Sequence, residues 1–133
     1  MLRTGILHPE LGAWLARLGH HDRLLISDAG YPMVPGAARI DLGFAPGRPG
    51  LLEVVEAVVA VLPLERVWVA AELPEQQPGF FRRLETLLPA GVPVERLADH
   101  ETFKATAAGV PLMVRTGEFT PFANCLLECG VGF

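Results

Sequence analysis

Two ionisable side chains bracket one short apolar run. In Leu18-Gly19-His20-His21-Asp22-Arg23-Leu24-Leu25-Ile26-Ser27-Asp28-Ala29-Gly30, His20 precedes the run and Asp28 follows it. An imidazole, with its ordinary pKa of about 6.5, suits proton transfer near neutral pH, and Asp22 is spaced to orient it. Asp28 leaves what reads as a buried strand, and open α/β sheets take ligands just beyond strand ends. The same residues also fit plainer roles: His20 and His21 as surface turn residues, Asp28 as the start of an Asx turn.

Two further groups carry usable chemistry. His100 and Lys104 stand four apart and so share one helix face. His100 falls in the first turn, where the helix dipole disfavours imidazolium. A neutral ring there can donate to, or accept from, a sugar hydroxyl; a solvated face with an Asp99 or Glu101 contact is the alternative. Near the C-terminus, Phe119-Thr120-Pro121-Phe122-Ala123-Asn124 sets an amide beside an aromatic in a Pro-kinked turn. That combination suits a polyol, with its flat apolar face and paired donors and acceptors; a β-turn with a core Phe is the alternative. No metal is expected, because the His, Cys and carboxylate residues lack the close paired spacing of a closed site. Ser27 is the only serine and has no Gly-x-Ser-x-Gly elbow, so a Ser/His/Asp triad is unsupported. Nor does the Pro46–Gly50 stretch match a phosphate cradle.

These groups need elements to hold them. Pro9 suits the first helical position, and Leu11, Trp14, Leu15 and Leu18 follow at helical spacing to a stop at Gly19. Residues 23–27 read as a core strand and 4–7 as a short edge strand. Residues 38–44 alternate as a strand, with Ile40, Leu42 and Phe44 on one face. Residues 51–62 predict a helix, 66–71 a second buried strand, 74–88 one helix and 92–97 a strand. Asp99 caps a helix through residue 107; residues 111–115 and 122–127 predict strands. Strands alternating with helices imply a single-domain layered α/β/α fold with a mixed sheet, spanning 1–133.

Composition sets the outer limits. The chain has 133 residues, enough for one core without staples. Half the residues are hydrophobic and the mean hydropathy is +0.34, a surplus that suggests a homo-oligomer. No apolar run approaches the roughly 20 residues of a membrane span, and the first residues lack the apolar segment of a signal peptide. The expectation is a soluble cytoplasmic protein with no membrane partner. A net charge of −4, with Lys104 the only lysine, argues against a nucleic-acid partner. Cys125 and Cys129 on a strand would lie about 13 Å apart, beyond the roughly 7 Å reach of a disulfide, so buried thiols are expected.

Five segments then fall in one order along nearly the whole chain: Leu18-Gly19-His20-x-Asp22, Asp28-Ala29-Gly30-x-Pro32, Arg39-Ile40-Asp41-Leu42, His100-Glu101-x-Phe103-Lys104 and the tail from Arg115 to Cys125. Together they resemble the D-ribose pyranase / fucose mutarotase family, and Asp28-Ala29-Gly30 with the tail resembles its ribose branch. The resemblance implies an isomerase with no cofactor that interconverts pyranose and furanose forms of D-ribose. It implies His20 as catalytic acid/base, sugar contacts from Asp28, His100, Phe122, Ala123 and Asn124, and Lys104 close by. It also implies a ring-shaped homo-oligomer, often a decamer, with sites at subunit interfaces. Alternatives on the same residues are a fucose-type or other aldose mutarotase, or a catalytically weak sugar-binding module. One departure bears on the choice. The family usually has Tyr where this chain has Phe122, and the missing hydroxyl removes a hydrogen bond worth roughly 0.5–1.5 kcal/mol net.

Overall fold

A computed structural model describes residues 1–133. The elements in chain order are α1 (Pro9–Arg17), β1 (Arg23–Ser27), β2 (Ala38–Asp41), α2 (Leu51–Val59), β3 (Leu64–Ala70), α3 (Glu72–Gln76), α4 (Pro78–Leu87), β4 (Val94–Leu97), α5 (His100–Ala107), β5 (Leu112–Arg115) and β6 (Cys125–Cys129). The six strands form one sheet in the order β2-β5-β1-β6-β3-β4. β2, β5 and β1 pair in parallel, as do β3 and β4, while β6 runs antiparallel to both β1 and β3. Five strands therefore point one way, and their carboxyl ends share one edge of the molecule, where β6 begins.

The apolar run that stood out in the sequence is β1, one of the two central strands. Leu24, Leu25 and Ile26 are fully buried in succession, as a strand covered on both faces requires. Leu24 and Ile26 face a large core built with α1, α2 and α4, while Leu25 faces a smaller one built with Tyr31, Trp68 and Phe103 of α5. In α1, Leu11 and Leu15 point into the larger core one turn apart; each stabilises by about 1.5–3 kcal/mol through the apolar surface removed from water. No helix is long and apolar enough to cross a membrane.

Four local expectations need correction. Residues 4–7 form no strand, because Gly5 takes φ +81° and turns the chain out of the extended region. The strand from residue 38 ends at Asp41, where its partner β5 ends at Arg115; Phe44 lies beyond it and is 75% exposed. Residues 74–88 are not one helix but the end of α3 and all of α4. The break falls at Gln77 (φ −128°, ψ 57°), because the ring of Pro78 drives its predecessor out of the helical region. The last strand begins at Cys125 rather than residue 122: Phe122 sits at φ +61° in a turn. The cysteines behave as expected, both free and both buried on β6.

Candidate active site

At the carboxyl edge, β1 delivers Asp28 and β6 delivers Asn124, adjacent strands running in opposite directions. The two residues bond reciprocally. The Asp28 backbone N–H donates to Asn124 Oδ1 at 2.8 Å, and Asn124 Nδ2 donates to Asp28 Oδ2 at 3.1 Å. The other Asp28 oxygen accepts from the Gly30 N–H at 2.9 Å, so the Asx turn and the candidate site are the same structure. The turn is pinned from below as well. Ala29 N–H donates to the Glu118 carbonyl, and Arg115, itself bonded to Asp41, donates to the Ala29 carbonyl. Burial pushes the Asp28 carboxyl above the usual carboxylate range, against the opposing effects of the Gly30 N–H, the Asn124 amide and nearby His100.

His100 opens α5 at the same edge, following β4. Asp99 is its N-cap, accepting from Thr102 N–H at 2.7 Å, as the sequence implies. The His100 ring meets Phe122 edge-on at 5.5 Å and Tyr31 edge-on at 6.1 Å. Tyr31 is the only tyrosine in the chain. Burial, with Asp28 and Glu101 adding to it, pushes its phenol up to about 12. Beside Asp28, a cleft of about 390 Å³ is lined by Ala29, Gly30, Glu118, Phe119, Thr120 and Pro121. Glu118 shapes that wall: one carboxylate oxygen caps α2 at the Leu51 N–H, and the other holds Thr120.

The structure thus brings together Asp28, His100, Phe122 and Asn124. Ala123 lies among them but its side chain is fully buried, so only its backbone could meet a ligand. Lys104 sits one turn further along α5, and its ammonium pairs with Glu101 at 2.7 Å rather than with any member of the cluster.

His20 lies elsewhere. Residues Arg23 to Asp28 alone span about 17 Å of extended chain, and His20 precedes Arg23 at the opposite end of β1. Asp22 does not orient it: the Asp22 carboxylate accepts from Gly19 N–H instead. Glu65 does so, its Oε1 lying 2.6 Å from His20 Nε2. His21, at φ +68°, stacks on the His20 ring with centroids 3.7 Å apart and approaches the other Glu65 oxygen at 3.2 Å. His20, His21 and Glu65 could offer ligand atoms within 4.8 Å of one another. Both ring nitrogens already meet the Glu65 carboxylate, one at each oxygen, and all three residues are exposed. Sequence spacing gave no sign of Glu65, 45 positions from His20, or of Glu118 and Tyr31.

Comparison with known proteins bears on the assignment. A profile of the RbsD / FucU transport protein family matches residues 1–132. The chain belongs to this family. It is 41% identical to a D-ribose pyranase of Geobacillus kaustophilus, over all of this chain and 96% of that one. It is 43% identical to a D-ribose pyranase of Symbiobacterium thermophilum, over the full length of both. Among solved structures it matches Bacillus subtilis RbsD complexed with D-ribose, with TM-score 0.93 and 38% identity over the whole of both chains. A fucose mutarotase of Streptococcus pneumoniae in complex with L-fucose matches with TM-score 0.76 at 20% identity over both whole chains, a likeness of fold. The mixed sheet and single layered domain expected from the sequence are the family fold.

Proposed function

We propose that this chain is a sugar mutarotase of the D-ribose pyranase type. The observation that carries the reading is the Asp28–Asn124 pair beside His100 at the carboxyl edge, in a chain alike over its full length to relatives named for D-ribose. Asp28 and Asn124 supply fixed acceptors and a donor, and Phe122 a flat apolar wall, to a monosaccharide. The reaction itself asks little. A base takes the anomeric hydroxyl proton, an acid protonates the ring oxygen, and the C–O ring bond breaks to give the open aldehyde. Attack by a different hydroxyl closes the other ring size and returns the protons. This needs neither redox chemistry nor phosphate, and general acid–base catalysis supplies about 10²–10⁴-fold.

On this reading His20 is the acid/base, and the separation of the two ends of β1 has one consequence. His20 of one copy must serve the Asp28 cluster of another, so the working enzyme is a homo-oligomer with shared sites, which we take to be a ring-shaped decamer. The lopsided layering supports such contact: four helices, α1 to α4, cover one sheet face, whereas α5 and the segment around Tyr31 cover the other. Phe119, on the cleft wall, is 67% exposed. We place the protein in the cytoplasm, where two unbridged thiols are at home.

Saturation-transfer NMR on D-ribose tests the reaction. The protein should accelerate exchange between pyranose and furanose anomeric signals, and His20→Ala should abolish that acceleration. Full activity in His20→Ala overturns the role of His20. Binding without acceleration of ribose or any common aldose would favour the sugar-binding module, with Phe122 as its cause. Mixing His20→Ala with Asp28→Ala subunits after joint refolding tests the shared site. If each site draws on two copies, random assembly restores about a quarter of the sites; if each copy is self-sufficient, mixing restores none.

A further inference from the structure

Glu72 opens α3, directly after β3, and reaches across to the start of α5. Its Oε1 accepts the His100 backbone N–H at 3.0 Å. Its Oε2 is buried with no partner, and so is Nδ1 of the His100 ring. Both orphans flank one hydrogen bond: Oε2 shares a carbon with the oxygen that accepts the His100 N–H, and Nδ1 belongs to the side chain of the residue that donates it. An unpaired buried polar group is costly and rare. Nδ1 can take either role, but a carboxylate oxygen can only accept. A small turn of the carboxylate or the ring lets each satisfy the other, and only when Nδ1 carries the hydrogen.

We infer that Glu72 is a positioning residue that fixes the tautomer of His100, placing the proton on Nδ1 and leaving Nε2 as a bare acceptor. Nε2 makes no bond within the chain and is not sealed in the interior, unlike Nδ1, so it is the nitrogen a ligand can reach. The inference rests on the proposed function for its consequence: His100 accepts a sugar hydroxyl proton rather than donating one. The carboxylate that caps α5 thereby also sets the polarity of the site.

Glu72→Gln makes the test sharp because it is isosteric. Only the amide oxygen can accept the His100 N–H, which forces the amide NH2 into the place of Oε2. That group donates, so Nδ1 must become the acceptor and the proton must move to Nε2. Protein labelled with [15N]histidine reports the tautomer directly, with His100→Asn assigning the resonances. The wild type should show a protonated Nδ1 and a bare Nε2, and Glu72→Gln the reverse, at a thermal midpoint close to wild type. Pyranose–furanose exchange at saturating ribose should fall on the order of 10-fold or more in Glu72→Gln, with apparent KM changed little, because a sugar hydroxyl can bond either tautomer while only one accepts its proton. A protonated Nε2 in the wild type, or one tautomer shared by wild type and Glu72→Gln, overturns the inference and leaves Glu72 a helix cap. Absence of ribose turnover in the wild type would overturn the proposed function instead, while the tautomer readout still decides the role of Glu72.

Discussion

Asn124→Asp exchanges one donor for one acceptor at the centre of the carboxyl-edge cluster. The variant keeps the Oδ1 that accepts the Asp28 N–H. It replaces the Nδ2 that donates to Asp28 Oδ2 with a second carboxylate oxygen, at a position only 2% exposed. Losing a hydrogen bond to a charged acceptor costs about 1.5–3 kcal/mol. Two facing carboxylates cannot both ionise without further cost, so the folded pair retains one proton. Burial already raises the Asp28 carboxyl in the wild type, and the second charge raises it further. The sign follows from proton counting. The unfolded chain releases that proton near the ordinary aspartate value of about 3.9, while the folded pair still holds it. Stability is therefore full below that value and falls as pH rises through the folded pKa, by at most about 1.4 kcal/mol per pH unit. The deficit of Asn124→Asp relative to wild type should be largest near pH 8 and shrink toward pH 5. Urea midpoints across that range, all at one fixed protein concentration so that self-association cannot differ between samples, measure it. Asn124→Ala, which loses both bonds without adding a charge, should show a deficit with much weaker pH dependence. A deficit for Asn124→Asp that is flat from pH 5 to pH 8, or that grows in acid, would refute the facing geometry of the pair.

Three other outcomes are expected. Phe122→Tyr introduces a phenol at a turn position where both rings fit the same backbone, and should lower the apparent KM for ribose several-fold, in keeping with roughly 0.5–1.5 kcal/mol for one hydrogen bond; a gain in turnover larger than the gain in affinity would mark a proton-relay role. Gly117→Ala drives a methyl into the carbonyl oxygens of Arg48 and Ala45 and should lower stability by about 1–3 kcal/mol, read as a urea midpoint shift, while loosening the Glu118 cap on α2. Burial pushes the thiol of Cys125 up to about 12, and that of Cys129, with Asp22 and Glu128 adding, up to about 11, so a thiol reagent near pH 8 should leave the native protein unlabelled and modify both residues in urea.

What the sequence made legible is what is local. Residues 23–27 fold as predicted because an unbroken apolar run needs cover on both faces, and that need is written in adjacent residues. The start of α5 was readable from Asp99 because a cap and the N–H it satisfies are three positions apart. Asp28 and Asn124 stand out singly, by chemistry, local position and the family resemblance; their pairing spans 96 positions and depends on β6 entering the sheet antiparallel between β1 and β3, which no periodicity encodes. Nothing local marks Glu65 or Glu72, because each acts on a histidine far along the chain. Asp22 looked the better partner for His20, yet a short turn gives its carboxylate a nearer donor, the Gly19 N–H.

The two ends of β1 differ in a way that bears on how the site works. Asp28 is fixed by bonds to Gly30 and Asn124, inside a turn held by Glu118 and Arg115. His20 is 43% exposed and rests on one carboxylate and one stacked imidazole, both at the surface. A group that binds within its own chain is held by its own chain, whereas a group destined for a second copy must stay reachable until that copy arrives. The hydrophobic pattern of one sequence records burial within one fold, so it marks the first kind of group as part of a core edge. It leaves the second kind looking like any surface histidine. On the proposed reading, only its chemistry and the likeness to a family mark His20, because the structure that gives it a partner is not encoded in the packing of a single chain.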